Sequence, residues 1–176
     1  VRIKNQRNSI LKKNKNYTFL QVDFSKNKKI EKLFKKYKFD FIFHLAAQAG
    51  VRYSVINPDA YISSNINGFF NILDLSREFK VKHFVFASTS SVYGSTNQFP
   101  LKEDFVASHP IQLYAATKRS NELIAHSYSA LYGLPTTGLR FFTVYGPYGR
   151  PDMFLYKYVE AIKLNKIIKL HNSGNH

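Results

Sequence analysis

Tyr114 and Lys118 stand four residues apart in a segment predicted to be helical, a spacing that stacks them on one face. A lysine ammonium beside a phenol favours the phenolate and lowers a pKa ordinarily near about 10. A phenol tuned in this way is a general base for an alcohol proton. With 12 tyrosines in the chain, such a pair also arises by chance as an ordinary surface contact. Thr89, Ser90 and Ser91 form a hydroxyl cluster that could bond a substrate oxygen or simply make a turn. Phe43-His44-Leu45-Ala46-Ala47-Gln48 joins an apolar run to residues small enough for a ligand to reach the backbone, or for tight strand–helix packing. Asp23 could accept from an adenine amino group or cap the helix that follows it.

The elements that must position these groups alternate along the chain. Residues 17–22 read as a short strand, followed by a helical stripe of Ile30, Leu33, Phe34 and Tyr37. Residues 39–45 are predicted as a second strand. A helix is expected from Pro58 to about Phe79, burying Tyr61, Ile62, Ile66, Phe69, Phe70, Ile72 and Leu73. Residues 83–87 form a third strand, with a hydroxyl-rich turn over 88–91. A long helix covers 111–132, ended by Gly133 with Pro135 just beyond. Residues 136–141 read as a fourth strand. A loop with Gly146, Pro147, Gly149 and Pro151 leads to a helix over 153–164 and a short strand at 167–170.

Strands separated by helices of this length imply an α/β fold with a parallel sheet covered on both faces, each helix being a crossover. In such sheets ligands bind beyond the carboxyl ends of the strands, and residues 46–52, 88–93 and 142–150 all follow strand ends. No glycine precedes Gly50, so the glycine-rich turn that seats a dinucleotide pyrophosphate is not in the chain. The expectation is a doubly wound sheet incomplete at both ends, with the first strand, first helix and C-terminal region lying outside it.

Composition excludes several classes. At 176 residues and 44% hydrophobic content the chain can bury a sizeable core. It has no cysteine, hence neither a disulfide framework nor a thiolate metal site, which fits a cytoplasmic protein; no metal is expected. No run of 18 apolar residues or leader pattern suggests a membrane. The net charge of +15 is concentrated in residues 1–38, where 13 Lys and Arg face Asp23 and Glu31. Those lysines are interleaved with Asn and Ser as on a solvated surface, and no nucleic-acid-binding motif accompanies them, so nucleic acid is not expected as a partner.

Four ordered motifs carry a resemblance: Phe-His-Leu-Ala-Ala at 43–47, Ala-Ser-Thr-Ser-Ser-Val-Tyr-Gly at 87–94, Tyr-Ala-Ala-Thr-Lys at 114–118 and Arg-Phe-Phe-Thr-Val-Tyr-Gly-Pro at 140–147. Together they resemble the extended short-chain dehydrogenase/reductase family. Residues 48–54, 134–140 and 146–153 are similar to the UDP-glucuronate 4-epimerases within it. The resemblance implies a Rossmann-type domain over 1–152, the start of a substrate-binding region at 153–176, NAD as cofactor and a UDP-sugar as substrate. It implies a homodimer as well.

The same resemblance makes Tyr114 the catalytic base, Lys118 its tuner and a ribose ligand, and Thr89 the third catalytic group. Asp23, Leu45, Ala46, Ala47, Gln48, Ala87, Ser88, Phe141 and Val144 would line the cofactor with Tyr114 and Lys118. Ser90, Ser91 and Thr143 would contact the sugar. Arg52 and Arg150 would hold the uronate carboxylate, where a guanidinium bonds two oxygens at once, unless they are ordinary surface arginines. The implied chemistry is transient oxidation at C4, rotation of the 4-keto sugar and return of the hydride to its other face. Ser90 and Ser91 follow Thr89 where a 4,6-dehydratase carries an acidic pair, so water elimination lacks its carboxyl. A decarboxylase or an epimerase of another UDP-sugar remains an alternative, as does an inert fragment that binds polyanions through its basic N-terminus.

Overall fold

The computed structural model describes residues 2–168. It divides into two compact units, Gln21–Phe142 and Val1–Leu20 with Thr143–His176. In chain order the helices are α1 (Arg2–Leu11), α2 (Asn27–Tyr37), α3 (Val51–Ile56), α4 (Pro58–Tyr61), α5 (Phe69–Glu78), α6 (Leu113–Tyr132) and α7 (Phe154–Lys163). The strands are β1 (Phe41–His44), β2 (His83–Thr89) and β3 (Thr136–Phe141).

The sheet has the order β1-β2-β3, all parallel, with Phe43 paired to Val85, Ser88 to Arg140 and Thr89 to Phe141. Right-handed crossovers that step the same way along a sheet place their helices on the same face. The β1-to-β2 connection carries α5 and the β2-to-β3 connection carries α6, and these pack on one side together with α2. The core there is Phe34, Phe69, Leu73, Phe84 and Phe86, all nearly inaccessible, with the Phe69 and Phe86 ring centroids 5.1 Å apart. Each buried ring contributes on the order of 2–3 kcal/mol. The expected cover on both faces is not met within this unit: Phe41 and Phe43 point to the other face and are exposed.

Local chemistry explains the helix ends. Asn57 caps α4 by accepting from the Ala60 N–H, and Pro58 takes the first helical position, where a missing N–H costs nothing. Gly133 ends α6 in the left-handed region at φ 65°, its N–H bonded to the Ser129 carbonyl. The segment expected as one helix over 58–79 is interrupted by a π-helical stretch, Ile62–Gly68. The extra residue per turn shifts the buried face, and Phe70 just beyond it is exposed rather than buried; Ile62, where the stretch begins, is exposed as well.

Other expectations also change. Residues 17–22 form no strand, because none of the three strands pairs with them; Val22 packs against the core without a ladder. Asp23 therefore ends no strand. Residues 167–168 are likewise irregular, and Ile167 is exposed; the rest of that expected strand lies outside the described residues. β2 runs on through Ser88 and Thr89, and the turn beyond it is a 3-10 helix, Ser90–Tyr93. Helices α1 and α3 are not among the elements expected from the sequence. Among the described residues no helix is long and apolar enough to cross a membrane.

Candidate active site

In the Gln21–Phe142 unit, the site is built where β1 and β2 end. Lys118, on the second turn of α6, is 2% exposed, and its Nζ donates to the Ala87 carbonyl oxygen at 2.8 Å. Burial lowers its pKa to about 8, which still leaves the ammonium mostly charged at neutral pH. Tyr114 lies one turn earlier on the same helix, its ring edge-on to that of Tyr61 at 6.2 Å. Tyr61 is itself fully buried and donates its hydroxyl to the Gly50 carbonyl. Thr89 closes β2 two residues after Ala87. Its Oγ1 accepts from the Ser91 N–H at 3.2 Å and donates to Ser91 Oγ at 3.3 Å, which shapes the turn holding Ser90 and Ser91.

The loop after β1 is held by a residue outside the four motifs. Asn65, in the π-helical stretch and 1% exposed, accepts from the Gln48 N–H at 2.8 Å and donates to the Gln48 carbonyl at 3.0 Å. Its amide also donates to Thr117 Oγ1 at 3.1 Å, and Thr117 donates to the Tyr114 carbonyl at 2.8 Å. The loop of Leu45, Ala46, Ala47 and Gln48 is thereby tied to the helix that carries Tyr114. The only sequence signal for Asn65 was a polar residue inside an apolar helical stripe. His44, the last residue of β1, is wedged edge-on to Phe24 and Phe69. Burial, with the Lys118 charge adding to it, pushes its pKa down to about 4, so it is a neutral wall of the core.

Ser88 and Phe141 occupy neighbouring strand ends, and Ser88 Oγ donates to the Glu122 carboxylate. Asp23 accepts from the Ser25 N–H at 3.0 Å and Oγ at 2.7 Å, and these bonds hold its carboxyl below the usual range. It does not cap α2, whose N-cap is Lys26. The Arg52 side chain lies outside the described residues.

In the other unit, Thr143, Val144 and Arg150 line a single cavity of about 540 Å³ with Met153, Tyr156 and Glu160. That volume suits a ligand of nucleotide size. Arg150 pairs with Asp152 through Nε at 3.0 Å and through Nη2, a fork of two bonds to one carboxylate. Among the described residues no group of three His, Cys, Asp or Glu is placed to hold a metal.

A parallel sheet with its Tyr-x-x-x-Lys helix anchored to a strand end defines a Rossmann-type domain of the dehydrogenase-like class. The chain belongs to the NAD dependent epimerase/dehydratase family, whose model matches residues 1–176. It is 52% identical over 160 residues to protein CapI of Staphylococcus aureus, covering 91% of this chain and 48% of that one. It is 42% identical over 174 residues to the UDP-glucuronate 4-epimerase of Thermodesulfobacterium geofontis, covering 99% and 54%. Among solved structures it is similar to the UDP-glucuronic acid 4-epimerase of Bacillus cereus in complex with UDP-glucuronic acid and NAD. The TM-score there is 0.85 at 32% identity, covering 94% of this chain and 51% of that one. The chain thus spans about half the length of the relatives it matches.

Proposed function

We propose that the whole protein is an NAD-dependent nucleotide-sugar 4-epimerase interconverting UDP-glucuronate and UDP-galacturonate. The observation that carries this reading is the Lys118–Ala87 bond, which ties the Tyr114–Lys118 face of α6 to the strand end that bears Thr89. The small residues after β1 and the buried cation fit the nicotinamide and ribose part of NAD. No glycine precedes Gly50, so no residue here fits the pyrophosphate turn, and residues 1–176 alone are expected to bind NAD weakly. Submicromolar affinity of this chain for NAD would overturn that last point.

When bound, NAD supplies reversible hydride acceptance at C4. The chain's own residues do the rest. Tyr114 Oη accepts the proton of the sugar 4-hydroxyl and later returns it, while the Lys118 ammonium favours the phenolate. Thr89 shares the hydrogen bond to that oxygen, and Ser90 and Ser91 contact the ring. By the resemblance, Thr143, Arg150 and Arg52 are the candidates for holding the nucleotide-linked sugar and its carboxylate. Residues 153–176 begin the substrate-binding region. A homodimer in the cytoplasm completes the proposal, consistent with a chain that lacks cysteine.

The test is the full-length protein with UDP-glucuronate and NAD. UDP-galacturonate is the expected product. UDP-xylose would make the enzyme a decarboxylase, and no product from this substrate would remove the uronate assignment.

A further inference from the structure

Three side chains without a part in the proposed chemistry meet behind the strand ends. Glu122 stands one turn beyond Lys118 and two beyond Tyr114, so the three share one stripe of α6. Its carboxylate accepts from Ser88 Oγ, from Arg119 Nη1 at 2.7 Å, and from Arg140 Nε and Nη2, both at 3.0 Å. Arg140 spends its remaining reach on the turn region: Nη1 donates to the Glu103 carbonyl at 3.1 Å, and its guanidinium carbon lies 4.8 Å from the Tyr93 ring centroid. Ser88 and Arg140 are direct partners in the β2–β3 register. The Glu122 and Arg140 side chains are only 11% and 16% exposed.

One carboxylate therefore joins the helix of Tyr114 and Lys118 to the ends of β2 and β3 and, through Arg140, to the 3-10 turn. A fork of two parallel bonds fixes distance and angle together, which an apolar contact does not. A buried ion pair adds little stability over a well-packed apolar pair, so geometry is what this one supplies.

We propose that the Glu122–Arg140 pair is a positioning device that sets the Thr89–Ser91 hydroxyls against the Tyr114–Lys118 face of α6. The proposal rests on the epimerase reading. Neither residue touches the reacting atoms; both act through Ser88 and Tyr93.

The test is Glu122→Leu/Arg140→Leu in the full-length protein with NAD, read by melting temperature, steady-state kinetics and amide hydrogen exchange. The double variant also leaves Ser88 Oγ without its acceptor, so it is expected to melt a few degrees below the parent while kcat falls at least about tenfold and KM stays within about threefold. Exchange at residues 89–93 is expected to quicken at least about tenfold, with 84–86 unchanged. Loss of kcat together with faster exchange supports the proposal; kcat within about twofold of the parent, or unchanged exchange at 89–93, overturns it. If the double variant does not fold, Arg140→Lys keeps the charge, loses the fork, and is judged by the same readouts. A parent inactive on UDP-glucuronate would sink the substrate assignment by itself, and the exchange measurement would still decide the positioning claim.

Discussion

Lys118 on α6 reaches across 31 residues of sequence to bond the carbonyl of Ala87 at the end of β2. The bond locks the rotation of α6 about its axis, and Tyr114, one turn earlier, is carried to the same end of the sheet. A lysine that merely lay on the surface beside a tyrosine would not be 2% exposed with its ammonium on a strand-end carbonyl.

Tyr114→Phe keeps the ring against Tyr61 and removes only the hydroxyl. Turnover of the full-length enzyme is expected to fall by at least about two orders of magnitude, the scale of a lost general base. Steady-state kinetics check it; near-normal turnover would take Tyr114 out of that role.

His44 makes the fold sensitive to acid. Its pKa falls from 6.5 to about 4 on burial, so below pH 6.5 the unfolded chain binds a proton that the folded chain refuses until about pH 4. Stability therefore declines as pH drops through that window, by on the order of 3 kcal/mol. Glu122 adds to the loss lower down. Burial raises its pKa, but the bonds from Arg140, Ser88 and Arg119 outweigh that and hold it below the usual value, so its contribution fades only as those bonds are protonated away. Melting temperatures from pH 4 to 7 for the parent and for His44→Leu test this; an equally steep acid limb in the variant would refute it.

Asn65→Leu leaves the N–H and carbonyl of Gln48 without their partner and cuts the tie to Thr117. The expected loss is about 2–6 kcal/mol, from two stranded backbone groups at about 1–3 kcal/mol each. Urea unfolding measures it, and a change below about 0.5 kcal/mol, the scale of an ordinary surface substitution, would show the clamp to be dispensable.

Gly94 follows the 3-10 turn at φ 66°, and a Cβ there would collide with the His109 carbonyl oxygen. Backbone cannot step aside as a side-chain tip can. Gly94→Ala is expected to cost at least about 2 kcal/mol, combining left-handed strain with overpacking. Thermal melting is the check, and a variant as stable as the parent would refute the clash.

Asn121 presents the opposite case. Its amide is 1% exposed and has no hydrogen-bond partner among the described residues. Asn121→Leu, of similar volume, is expected to raise stability by about 1–2 kcal/mol, the desolvation cost of an unpaired polar group. A destabilised variant in the same urea assay would contradict this.

Local pattern was enough to place most elements. The sequence marked β3 over its observed span and α6 to within two residues at its start, because each depends on neighbours a few residues away. The order of motifs also singled out Thr89, Tyr114 and Lys118 as candidates. What sequence could not decide was anything that needs a partner far along the chain. Residues 17–22 have strand composition but no ladder, since a strand exists only through its neighbour's hydrogen bonds. The Asn65 clamp on Gln48 and the Glu122–Arg140 fork both depend on contacts across at least 17 residues. Such contacts form only once the crossovers have wound the helices onto the sheet, and tertiary packing alone selects which polar side chains are sealed inside and must bond there.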